Sequence, residues 1–399
     1  MKKLYSTAFV LALMLLLTAC HSDKHEKKQP DIETVLVYIA GDNNLTSFIK
    51  SDIAQMMTGS LELSKGNNLI LFVDSQGAAP YFLKVENGDT IRLKTCEQEL
   101  RSSDAATLKM ALSWAMENYE AQSYGLVLWG HADGWVIWQE TASSRSPRRA
   151  YGQDTAGGTQ WMNIPDMAQA LSALPHLRFI FADCCCFQSV ESAYELRQVT
   201  DYIIASPAEI PGEGAPYQTV IPALFSQRDD FYEIAAKAYC QQESMGYLEP
   251  MSVVKTSEME NLAQATRTVL AQSLQPIGSD GSGYPDVSEL IYYFDQTLFD
   301  MNDFILRIAD ANDYATWKRT FDAAVPFKQM TTVWMANHVA YLDSWTKTSF
   351  RDFEVTEERY GGVNMFVPQN SQEDKKKHQN ERISRMQWYS AAGLKDLGW

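Results

Sequence analysis

His131 and the run Cys184, Cys185 and Cys186 are the residues of this chain best suited to covalent chemistry. A free thiol has a pKa of about 8.5 and is mostly protonated at neutral pH. An imidazole beside it can take that proton and later return it to a leaving amine. Backbone N–H groups at a strand-to-helix turn can hold the oxyanion of a tetrahedral intermediate. The same four residues are zinc-ligand types. Consecutive cysteines cannot all turn toward one tetrahedral centre, however, and structural zinc sites separate paired ligands by about two to four residues. A plainer reading is also open: His131 as an ordinary loop-end histidine, and the thiols as small hydrophobes. Residue types alone do not decide between the last reading and the catalytic one.

Catalysis needs elements that bring these residues together. Residues 125–130 (GLVLWG) and 177–183 (LRFIFAD) are almost wholly apolar and read as buried strands. The first delivers His131 and the second the cysteine triplet. Residues 34–40, 68–74 and 201–206 read the same way, and 81–92 as a hairpin around Asn87-Gly88. Helical spacing falls between the strands, over 47–57, 103–119 with Ser103 as cap, 165–174 and 187–197. This alternation predicts an α/β fold, a mostly parallel sheet covered by helices on both faces. Ligands of such sheets sit outside the carboxyl ends of the strands. If the third and fourth strands are neighbours, His131 and one cysteine face each other there. A helix beginning at Phe187 would turn its positive end toward the thiol and favour thiolate. Beyond about residue 250 helices dominate, over 258–272, 287–299 and 301–310, before a late strand at 362–367 and a stretch with Lys375, Lys376 and Lys377. Residues 33–250 are therefore expected to form the core and 251–399 a helical region completing it.

Composition narrows the class. The chain has 399 residues, 45% hydrophobic and 21% charged, enough for one large domain or two ordinary ones. That excludes a disordered chain, a small disulfide scaffold and a collagen-like repeat. A net charge of −16 argues against a nucleic-acid partner, which would call for a basic stripe. The cysteines are Cys20, Cys96, Cys184, Cys185, Cys186 and Cys240. Adjacent cysteines can close only strained rings, so the set reads poorly as a disulfide framework.

At the N-terminus, Lys2 and Lys3 precede an apolar run over 8–17, followed by Leu17-Thr18-Ala19-Cys20. The run is too short to span a bilayer and suits a signal-peptide core. A small residue before a cysteine at this place resembles a bacterial lipobox. The expectation is a signal peptide over 1–19, a lipidated Cys20 and a polar tether over 20–32. The protein would be held at the cell envelope by lipid, its membrane partner, and not as an integral protein.

Five segments carry a more specific resemblance. Residues 34–45 (TVLVYIAGDNNL), 126–135 (LVLWGHADGW), 179–196 (FIFADCCCFQSVESAYEL), 211–217 (PGEGAPY) and 361–368 (GGVNMFVP) resemble, in order, the clostripain family of cysteine peptidases. The resemblance implies a caspase-like α/β sheet with a helix-rich C-terminal extension. It implies a His–Cys dyad, with the family's histidine on His131. The family's nucleophile stands two residues after an Asp. Placing that Asp on Asp183 puts the nucleophile on Cys185, a one-residue slip staying open among three thiols. Family members cleave after Arg, sometimes Lys. The resemblance gives Asp183 the task of binding that basic side chain, by a charge-assisted pair. Glu213 is the expected second pocket acid, Glu209 the competing choice. Ala132 departs from the Gly that often follows the family's histidine.

Several relatives mature by self-cleavage between the His and Cys strands. Residues 141–150 (TASSRSPRRA) offer Arg148 and Arg149 as sites. Some relatives depend on calcium. No EF-hand-like spacing occurs here, so no cofactor is required by the sequence and calcium stays open. The expected protein is a monomeric endopeptidase acting on proteins or peptides with basic residues. The alternatives are a catalytically silent envelope lipoprotein binding basic peptides, and a redox sensor using the cysteine triplet.

Overall fold

Strand β1 (Asp31–Gly41) shows why a sheet forms between two helical layers. Leu36, Tyr38 and Ala40 enter one hydrophobic core, and Val35, Val37 and Ile39 the other. Alternation with both faces apolar is what a doubly covered strand requires. This computed structural model describes residues 30–137, 150–155, 158–240, 249–294, 297–331, 334 and 353–399. After β1 come β2 (Asn67–Ser75), β3 (Ala78–Glu86), β4 (Asp89–Thr95), β5 (Ala121–Trp129), β6 (Tyr151–Asp154), β7 (Gln160–Met162), β8 (Leu177–Asp183), β9 (Thr200–Ala205) and β10 (Ser252–Lys255). The short strands β11 (Phe299–Asp300), β12 (Phe327–Lys328) and β13 (Asn364–Met365) follow.

Nine of these strands form one sheet in the order β12-β10-β9-β8-β5-β1-β2-β3-β4. The central run β9-β8-β5-β1-β2 is parallel. The β2-β3-β4 meander and the β9-β10-β12 pairs are antiparallel. The hairpin expected around Asn87-Gly88 joins β3 to β4, with both residues at positive φ. Two strands from beyond residue 250, β10 and β12, thus extend the sheet. Residues Asp31–Trp399 form one compact unit.

Helices α1 (Ile49–Ser60), α2 (Ala105–Asn118), α3 (Ile164–Leu171), α4 (Val190–Leu196), α5 (Tyr217–Leu224), α6 (Phe231–Cys240) and α7 (Met259–Ser273) cover the faces. Buried residues of α2, α3, α4 and α7 share the core of Leu36 and Tyr38; those of α1, α5 and α6 share that of Val35 and Val37. Among the described residues no helix is long and apolar enough to cross a membrane.

Four local expectations are corrected. The cap of α2 is Asp104, whose carboxylate accepts the Ala106 N–H, and not Ser103. Helix α4 starts at Val190, capped by Ser189, and not at Phe187. Cys186 adopts φ +56, which a helix cannot continue through, so residues 184–188 form a turn. Residues 287–294 and 297–299 are not helical. Asp286 accepts the Ser288 N–H in an Asx turn, Glu289 adopts φ +60, and the five residues Leu290, Ile291, Tyr292, Tyr293 and Phe294 are all buried, leaving no polar helix face. The late strand is only β13, because the backbone beside it bonds to side chains instead of a neighbouring strand.

Two buried carboxylates set that arrangement. Asp300 accepts N–H bonds from Gly361 (2.7 Å) and Gly362 (3.1 Å) and the Tyr293 hydroxyl (2.6 Å). A Cβ on Gly361 would come within 2.6 Å of Asp300 Oδ1, so the turn requires glycine there. Glu191, in the helix after the cysteine turn, accepts the Phe366 N–H at 2.7 Å, and its Oε2 has no partner. Burial pushes the Glu191 carboxyl up to about 8, against the Phe366 hydrogen bond. The folded state therefore holds a proton that the unfolded chain releases near the ordinary carboxylate pKa. Stability from this site is lost as pH rises from the unfolded value to about 8. Glu191→Gln keeps the acceptor for Phe366 and removes the titration. Its melting temperature should gain on the parent by several degrees more at about pH 8 than at about pH 5; a difference that does not vary with pH would mean Glu191 is not held neutral.

Candidate active site

The pairing of β5 with β8 sets Trp129 opposite Asp183. Two residues further on, the strands deliver His131 and Cys185 to the wall of one pocket at the carboxyl edge. The parallel strands reverse their winding between β1 and β5, where a ligand crevice is expected. A pocket of about 220 Å³ opens there, lined among others by Leu45, Trp129, His131, Asp183, Cys185 and Glu209.

His131 is held through its backbone and its ring. Its carbonyl accepts the Gly152 N–H at 2.8 Å, and Ala132 bridges Tyr151 of β6. Its Nε2 lies 2.7 Å from Asn44 Oδ1, and its ring centroid 6.2 Å from that of Trp161. Asn44 follows Asn43, whose side chain donates to the Ala40 and Gln153 carbonyls and ties the loop after β1 to β6. Burial lowers the His131 pKa, so the neutral imidazole is favoured.

Cys185 is the half-buried member of the triplet; Cys184 and Cys186 are buried in the core. Its Sγ receives the Ile210 N–H at 3.5 Å and lies 3.8 Å from the Ile210 carbonyl oxygen. Burial first, then the charge of Glu209, pushes the thiol well above its ordinary pKa. The expected helix dipole does not act here, since α4 is a seven-residue helix that starts five residues later. Burial thus favours the neutral form of both the thiol and the imidazole.

Asp183 forms the floor. Its Oδ2 accepts the Tyr217 hydroxyl at 2.6 Å and the Ala215 N–H at 3.0 Å, while Oδ1 has no hydrogen-bond partner among the described residues. Burial pushes its carboxyl up to about 6, opposed by the Tyr217 and Ala215 hydrogen bonds and by the nearby Tyr239 hydroxyl. Gly214 packs so closely that a Cβ would come 2.7 Å from Asp183 Oδ2, and it adopts φ +62. Behind this floor Asp52 accepts the Trp129 indole N–H at 2.7 Å. Burial, then the charge of Asp183, pushes Asp52 up to about 7.

Glu209 lines the pocket, whereas Glu213 is exposed and does not. The Gly214 N–H bonds the Pro211 carbonyl at 3.1 Å, and this tight turn carries Glu213 on its outside. Arg148, Arg149 and Cys20 lie outside the described residues. Among the described residues no group of three or more His, Cys, Asp or Glu is arranged to hold a metal ion. Sequence reasoning missed Asn44, Trp161 and Tyr217. Asn44 and Tyr217 lie in segments that carried the resemblance, but their partners His131 and Asp183 are 87 and 34 residues away, and Trp161 carries no local motif.

The sequence profile of the clostripain family matches residues 37–396. A secreted C11 cysteine protease from Bacteroides thetaiotaomicron, solved with an irreversible peptide inhibitor, is 30% identical. The match covers 92% of this chain and 99% of that one, with a TM-score of 0.75. An inactive zymogen C11 protease from Parabacteroides distasonis is 28% identical, covering 91% and 98%, with a TM-score of 0.73. Clostripain of Hathewaya histolytica is 23% identical over 235 residues, 51% of this chain, and the match spans less than half (44%) of that protein. With nearly its whole length matched, the chain belongs to the clostripain family of cysteine peptidases.

Proposed function

We propose that the protein is an endopeptidase that cleaves after arginine, or lysine, with Cys185 as nucleophile and His131 as the proton carrier. Cys185 Sγ attacks the scissile carbonyl while its proton passes to the His131 imidazole. The C–N bond breaks, the amine leaves with that proton, and a thioester remains. Water, deprotonated by His131, then hydrolyses the thioester and restores the thiol. Backbone N–H groups of the turn after β8 hold the oxyanion.

The observation that carries the specificity is Asp183. A buried carboxyl group whose Oδ1 has no hydrogen-bond partner among the described residues lies in the wall of a pocket shared with the thiol. Such a group is costly to leave unpaired. A guanidinium entering the pocket supplies the missing donors in a geometry that suits a carboxylate. Glu209 adds a second negative charge, and exposed Glu213 stands on the outer turn as a rim acid at most.

Leu17-Thr18-Ala19-Cys20 supports a lipid anchor at Cys20, and one relative is described as secreted, which suits a place at the cell envelope. Cleavage after Arg148 or Arg149 would match the enzyme's own specificity. The acidic chain and the protein substrates of its family favour peptide partners over nucleic acid.

On a fluorogenic arginyl peptide, Cys185→Ala and His131→Ala should each abolish turnover; full activity in Cys185→Ala would move the nucleophile. Asp183→Asn should lower kcat/KM for that peptide by at least about 100-fold, the loss expected when a buried charge pair is broken. Neutral peptides should change little, and an unchanged Arg preference would remove Asp183 from substrate binding. In the parent cell, Cys20→Ser should move the protein from the membrane fraction to the soluble one, and continued membrane retention would contradict the anchor.

A further inference from the structure

We infer that Asn364, on the last strand of the sequence, is a positioning residue for the nucleophile. This rests on the reading of Cys185 as that nucleophile. Two segments determine where the Cys185 thiol points. One is the turn over 184–188; the other is the loop over 206–214, whose Ile210 backbone touches Sγ. Backbone bonds begin to join them: Cys186 N–H to the Ala208 carbonyl at 2.8 Å, and Gln188 N–H to the Ser206 carbonyl at 3.0 Å.

The left-handed conformation of Cys186 turns its carbonyl into the protein. A side chain with a Cβ resists φ +56, so the turn persists only where its surroundings hold it. On one side stands Gly134, where a Cβ would come 2.8 Å from the Cys186 carbonyl oxygen. On the other stands Asn364. Its Nδ2 donates to the Cys186 carbonyl at 3.2 Å and to the Pro207 carbonyl at 3.0 Å. One amide group therefore bridges the nucleophile turn and the loop against the thiol. The backbone N–H of Asn364 also bonds the Gln188 carbonyl at 3.0 Å. Asn364 is fully buried and its own Oδ1 has no partner among the described residues, so the amide's hydrogen bonds there run toward this turn.

The chemistry calls for an amide. Aspartate would set a carboxylate against two carbonyl oxygens. An apolar side chain would remove the donor that both carbonyls share. Asn364 is itself fixed by the turn at Gly361 and Gly362, which Asp300 clamps. The region beyond residue 250 thus reaches the turn at several points: the Asn364 side chain on Cys186, the Asn364 backbone on Gln188, and the Ser252 carbonyl, which accepts the Gln188 amide at 2.9 Å. Freeing the Cys186 carbonyl lets the turn relax, which moves Sγ away from Ile210 and from its attack line. Misplacement of about 1 Å costs on the order of 100-fold in rate.

The test uses the full chain with Asn364→Ala and Asn364→Asp, and Thr266→Val as a remote control that removes the acceptor of the Trp317 indole. Turnover of an arginyl peptide and alkylation of Cys185 by iodoacetamide, mapped by mass spectrometry against Cys96, are both read. The Asn364 variants should lose about 10- to 100-fold in kcat with KM within about twofold. Cys185 should be alkylated severalfold faster while Cys96 is unchanged, a divergence that simple loss of stability does not produce. Thr266→Val should melt earlier and keep both rates. Parental kcat and parental Cys185 alkylation in Asn364→Ala would overturn the inference, as would equal losses in Thr266→Val. If Asn364→Ala does not fold, Asn364→Asp, which preserves shape, decides by the same criteria. If the parent turns over no peptide, the peptidase reading fails, and the alkylation rates still decide the role of Asn364.

Discussion

Parallel pairing of β5 with β8, with Trp129 opposite Asp183, is the constraint on which the site depends. The two strands are brought side by side by apolar residues that must be covered on both faces, not by any attraction between His131 and Cys185. Once paired, they release an imidazole and a thiol at the same edge. The neighbours of the sheet then close the site: β1 ends in the loop that presents Asn44 to His131, and the loop after β9 presents Ile210 to Cys185. A slip of one residue between β5 and β8 would send side chains meant for one core into the other and separate the pair.

The electrostatics of the pocket follow from burial. Asp183 and Asp52 sit in the low-dielectric layer between sheet and helices, with tyrosine hydroxyls and an indole N–H as partners. Burial pushes both carboxyls up toward neutrality. The same burial holds the thiol protonated and the imidazole neutral.

Much of the sheet was legible in the sequence because buried parallel strands are written as unbroken apolar runs. The runs ending at Trp129 and Asp183 mark their strand ends closely. The hairpin was legible because Asn87-Gly88 meets a backbone requirement. What was not legible is non-local or runs against local propensity. Nothing in three cysteines announces a left-handed residue at Cys186, so α4 was read as starting too early. The run of buried residues after Glu289 carries helical spacing, yet its packing against β11 and the Gly361 turn decides otherwise. Glu209 and Glu213 are equivalent by composition; only the Pro211 turn separates them. The contact of Asn364 with Cys186 belongs to the folded chain alone.

The most direct test of the account is where an activity-based probe attaches. The intact protein would be treated with a peptidyl-arginine chloromethyl ketone and the adduct mapped by peptide mass spectrometry, with a neutral-residue ketone in parallel. The account predicts one adduct per chain, on Cys185, formed by the arginyl probe and suppressed by excess arginyl peptide. An adduct on Cys184 or Cys186, or equal labelling by the neutral probe, would contradict it.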